Sequence, residues 1–68
     1  GRNRFEEAVD ALRRRLDDDS WEVRFHAGEA LSRMGKRGRS ALEAAFLEGG
    51  EAGREAASQW LDELGAQA

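Results

Sequence analysis

Shifted against itself by 30 positions, the sequence meets its own pattern again. Arg24 falls on Arg54, Ala27 on Ala57, Leu31 on Leu61 and Gly35 on Gly65, without a gap. The same shift carries Ala11 onto Ala41 and Leu12 onto Leu42, and it pairs Leu16 with Phe46 and Met34 with Leu64. A single identity between two alanine-rich segments carries little weight. One shift that accounts for two segments and a closing glycine describes a repeated unit, the kind that buries its apolar face only against a neighbouring copy.

Each unit reads as two helices. Residues 4–16 place Phe5, Ala8, Val9, Leu12 and Leu16 at helical spacing on one stripe. The run Asp17-Asp18-Asp19-Ser20 then interrupts the pattern, because short polar side chains compete with the backbone for hydrogen bonds. Asp19 with Glu22 has the character of a capping box, and Ser20 is the competing N-cap. A second helix over about 21–34 directs Val23, Ala27, Ala30, Leu31 and Met34 inward, and Gly35 closes it in the left-handed region. "GKRGR" reads as a turn, followed by a third helix over about 39–48 with Ala41, Leu42, Ala45 and Phe46 inward. Gly49-Gly50 breaks the chain, and a fourth helix over about 51–64 turns Ala57, Trp60, Leu61 and Leu64 inward before ending at Gly65 and a frayed "AQA". The expected fold is all-α, a fragment of an α-α superhelix made of two stacked hairpins, with repeat one over about 5–35 and repeat two over about 36–65 of a single domain, 1–68.

Size limits what such a stack can do. A chain of 68 residues has a thin core, and with no cysteine and no tight His/Asp/Glu cluster, neither disulfides nor a structural metal supplement it. The absence of cysteine agrees with a cytoplasmic setting. No apolar run approaches the roughly 20 residues that span a bilayer, so membrane insertion is not expected. The chain starts at Gly1 rather than methionine and is expected to be a piece of a longer protein. Exposed repeat ends then offer a route to self-association. Charge is uneven: residues 1–42 carry ten basic and eight acidic groups, whereas residues 43–68 carry one and six.

The stretch "LDDDSWEVRFHAGEALSRMG" resembles the HEAT-like repeats of phycobilisome bilin lyases and of many bacterial scaffold proteins. Their pattern is an acidic turn, Val-Arg, an alanine three residues on, Ala-Leu, and glycine. Asp18, Val23, Arg24, Ala27, Ala30, Leu31 and Gly35 fit it. The resemblance implies that a turn aspartate and the helix arginine tie neighbouring helices together, a role that falls to Asp18 or Asp19 with Arg24. The second unit departs from the pattern, with Gly49-Gly50 at the acidic turn, Gly53 at the valine position and Trp60 at a small-residue position. Such departures are expected of a capping unit whose outer face meets water.

No residue set points to catalysis, a cofactor or a metal. His26 stands without a nucleophile or base partner and reads as a boundary or surface histidine. Asp17–Asp19 is a short acidic run without the ligand spacing of a cation site, and capping explains it more simply. Arg33, Lys36, Arg37 and Arg39, with Arg13–Arg15, form basic clusters, but the acidic whole and the spread of Arg13–Arg15 around their helix argue against a nucleic-acid partner.

Trp21 and Phe25 are the exception. With Val23 at 0°, Trp21 falls near about 160° and Phe25 near about 200°, beside Gly28 and Ser32 and opposite the helix's own core stripe. Two readings stand together. Either the pair forms a contact surface, with Gly28 as a notch for a partner and Glu29 and Ser32 as its polar rim, or Trp21 folds locally over the first helix and Phe25 follows. The expected function is a non-catalytic protein–protein interaction or scaffold module. Its alternatives are a bilin-lyase-like, cofactor-handling fragment and a nucleic-acid-binding helical array.

Overall fold

In the computed structural model, which describes residues 3–66, four helices follow one another: α1 (Arg4–Arg15), α2 (Trp21–Ser32), α3 (Gly35–Glu48) and α4 (Glu51–Ala66). They form two stacked hairpins. α1 pairs with α2 and α3 with α4, while α1 also packs on α3, and α2 on both α3 and α4. α2 and α3 each meet all three other helices and together form the centre of the molecule.

The start of each of the first two helices follows from local chemistry. Asn3 accepts the Glu6 N–H through Oδ1 at 2.8 Å, leaving its own amide free to donate to the Glu6 carboxylate. Ser20 is the N-cap of α2, accepting from the Val23 N–H at 3.4 Å, and Asp18 Oδ1 in turn accepts the Ser20 N–H at 2.8 Å. Ser20, rather than Asp19, is therefore the capping residue. The core lies where the hairpins meet: Leu16, Leu31 and Leu42 are fully buried, with Ala27, Ala41, Ala45, Ala56 and Ala57 around them. Each of these leucines contributes about 1.5–3 kcal/mol through the area it removes from water.

Several expectations are corrected. "GKRGR" is not a turn but the first turn and a half of α3. The link between hairpins is confined to Arg33 and Met34, and Gly35, at φ +65°, turns the chain directly into the helix. Lys36, Arg37 and Arg39 are good helix formers. Gly38 is there for proximity, since a Cβ on it would overlap the Leu31 carbonyl oxygen of α2. Gly65 does not end α4, which continues to Ala66; the rest of the expected frayed tail, Gln67 and Ala68, lies outside the described residues. Phe5, Ala8 and Phe46, placed in the core stripes, are exposed. Leu16, the counterpart of Phe46, is covered by the second hairpin, and among the described residues no further hairpin covers Phe46 and its neighbour Leu47. The outer face of the second hairpin is thus apolar there, not the polar surface of a capping unit.

Candidate functional site

The wheel position of Trp21 and Phe25 is correct in one respect and incomplete in another. Trp21 remains 64% exposed and Phe25 39%, and the two rings stack along α2 with centroids 5.3 Å apart and planes 23° from parallel. Their separation of four residues places one above the other on the helix surface. Yet the face they occupy is not free along its length. Gly28, one turn on, is buried, because the Trp60 indole of α4 occupies the space its side chain would need. The notch is filled from within the chain. Trp60 also meets Phe25, centroid to centroid at 5.4 Å. The aromatic pair therefore leans toward α4 and not over α1.

A cleft of about 120 Å³ results, with Trp21, Phe25 and Trp60 as its aromatic wall. Arg24 from α2 and Glu55 and Gln59 from α4 complete its polar side. Arg24 is fixed in place: its Nη1 donates to the backbone carbonyls of Asp18 and Asp19 at 2.8 and 3.0 Å. Arg24 thus meets Asp18 and Asp19 through their backbone carbonyls and not through their carboxylates, and the contact stays within the turn before α2.

The link between neighbouring units comes from Asp17. Its carboxylate accepts the Gly50 N–H at 3.1 Å and the Gly53 N–H at 2.9 Å, both at the start of α4. Negative charge there also meets the positive end of the helix dipole. A Cβ on Gly53 would crowd both oxygens of Asp17, so the glycines that break the repeat pattern are what let the carboxylate approach.

Glu29 and Ser32, the expected rim, lie on the far side of Trp60, around a separate depression shared with Glu63 and Leu64. The Ser32 hydroxyl donates to the Glu29 carbonyl at 2.6 Å, so it is turned toward its own helix. The Glu29 carboxylate faces Arg33 at 3.5 Å and His26 at 3.9 Å. Thus Trp21 and Phe25 share one cleft, and Trp60 separates them from Glu29 and Ser32. His26 is exposed. The basic clusters are interleaved with carboxylates: Arg13 pairs with Glu48 at 2.8 Å, Arg37 approaches Glu6 at 4.0 Å, and Arg33 faces Glu29. Asp17 holds the start of α4 and Asp18 accepts from the Ser20 N–H, and among the described residues no group of three or more His, Cys, Asp or Glu is placed to hold a metal ion. No helix among them is long and apolar enough to cross a membrane.

A family model described as HEAT repeats matches residues 1–64, nearly the whole chain and both hairpins. The chain belongs to the HEAT-repeat family. No curated protein and no solved structure matches it. HEAT repeats generally serve as protein-interaction and scaffold modules. In this HEAT-repeat pair, Trp60 faces inward as expected, but its place against Gly28 and Phe25, and the link that Asp17 makes to α4, were not anticipated from the sequence. Both had a signal in the repeat register: a tryptophan where the first unit has Ala30, facing a glycine in that first unit, and glycines where α4 should begin with a polar cap.

Proposed function

We propose that this chain is a non-catalytic protein-interaction module of a scaffold, and that it takes its partner along the α2–α4 face. Trp21 and Phe25 are its anchors and Trp60 their support, with Glu29 and Ser32 at the edge of the surface. One observation carries this reading. Trp21 is more exposed than the other tryptophan and the phenylalanines, yet its ring is held by a stack on Phe25, which in turn rests on Trp60. A large aromatic surface that is already ordered loses little side-chain entropy when a partner covers it, which is why tryptophan dominates the energetics of contact surfaces. Family membership points the same way.

Selection of a displayed random-peptide library against the immobilised chain tests it. Peptides recovered with the natural chain should bind Trp21→Ser at least roughly tenfold more weakly, the loss expected for a contact anchor. Peptides that bind Trp21→Ser and the natural chain alike would place the contact surface elsewhere.

A further inference from the structure

The cleft and its neighbouring depressions are aromatic in the middle and acidic at the edge. Glu55 stands beside Trp21, while Asp62 and Glu63 flank Phe25 and Trp60. Counting Glu29, four carboxylates line these walls against two guanidiniums, Arg24 and Arg33. Arg33 is paired with Glu29, whereas Arg24 is held by the turn carbonyls and keeps its charge, so four carboxylates against two guanidiniums leave an excess of two negative charges. Among the described residues Glu55, Asp62 and Glu63 have no ion pair. The groove thus offers π faces and uncompensated negative charge side by side.

We infer that the occupant of this groove is an extended, arginine-bearing segment of a partner protein, an inference that rests on the α2–α4 face being the contact surface. A guanidinium is the group that satisfies both features at once. It stacks flat on an indole while its edge donates to a carboxylate, whereas an ammonium gives only the point charge. An acidic segment is repelled by the same carboxylates, and an apolar one gains the rings but leaves the charge unused. Helix geometry adds a spacing. Glu55 and Glu63 are eight residues apart on α4 and therefore about 12 Å apart along its axis. An extended peptide advances about 3.3 Å per residue, so the arginines that reach these two carboxylates are three or four positions apart.

The probe is a blocked eight-residue Gly/Ser peptide with two arginines four positions apart, titrated into the ¹⁵N-labelled chain. The two indole N–H signals, from Trp21 and Trp60, are the readout. Matched peptides carry lysine, glutamate or leucine in place of arginine. The arginine peptide should shift both indoles and bind more tightly than the lysine peptide. Its affinity should fall roughly fivefold or more with Trp21→Ala or with the double variant Glu55→Gln/Glu63→Gln, as loss of a cation–π contact or its paired charges requires. Glu43→Gln, on α3 and away from the groove, should change nothing. Equal binding of the leucine or glutamate peptide, still dependent on Trp21, would overturn the basic partner and leave the contact surface standing. If no peptide moves either indole, both the partner class and the contact surface fail.

Discussion

The Trp60 indole of α4 lies where a side chain on Gly28 of α2 would have to stand. Alanine at a helix-interior glycine ordinarily stabilises by up to about 1 kcal/mol. At position 28 the sign should reverse. Overpacking of this kind costs about 1–3 kcal/mol, so Gly28→Ala should lower the denaturation midpoint and change the near-ultraviolet circular dichroism of Trp60.

Trp21 and Phe25 should separate by function and packing. Trp21, 64% exposed, should be quenched readily by acrylamide in a variant in which it is the only tryptophan. Phe25 also contacts Trp60. Phe25→Ser should therefore cost about 1 kcal/mol of stability through the lost aromatic pairs, more than an exposed side chain would, without unfolding the chain. Urea denaturation followed by circular dichroism measures it.

Leu31 is fully buried and its repeat counterpart Leu61 only partly. Leu31→Ala should cost about 2–5 kcal/mol, a large share of the stability of so small a domain. Leu61→Ala should cost distinctly less. Equal shifts in the chemical-denaturation midpoint would contradict the way the hairpins stack.

Gly35, at φ +65°, should not tolerate a β-branched residue, and Gly35→Val should cost about 1 kcal/mol or more. Gly65 has open space around it and no positive φ. Gly65→Ala should leave stability unchanged or raise it slightly, by up to about 1 kcal/mol at most near a helix end. Thermal unfolding should show a clear loss for Gly35→Val and none for Gly65→Ala.

Asp17→Ala removes two hydrogen bonds to the first turn of α4 and should cost about 1 kcal/mol, the usual value of a helix cap. Asp17→Asn keeps one side-chain oxygen as acceptor and should lose less. Chemical denaturation of both variants measures the difference.

Much of this was legible in the sequence because a repeated helical pattern fixes both the elements and the face that each buries. The helices expected over about 4–16 and 51–64 are found at 4–15 and 51–66, and the buried Leu31 and Leu42 follow from periodicity alone. What periodicity cannot give is the second face of α2. A wheel assigns one core direction, but α2 has three neighbours, so Gly28 is buried on the side that the wheel assigns to solvent. Gly38 misled for a related reason: a glycine read as a turn residue is equally what a close helix crossing needs. The candidate site was half legible. The exposed aromatic pair could be placed from spacing, whereas its wall on α4 depends on how the two hairpins register, which only the complementary Gly28 and Trp60 hint at.

The carboxylate of Asp17 also gives the fold a direction in time. It precedes the two amides it holds by 33 and 36 residues, so during synthesis it is made well before α4 exists. α4 begins after two glycines that have no side chain of their own to start a helix, and nucleation is the costly step in helix formation. The first hairpin, once formed, thus acts as a template on which the last helix begins.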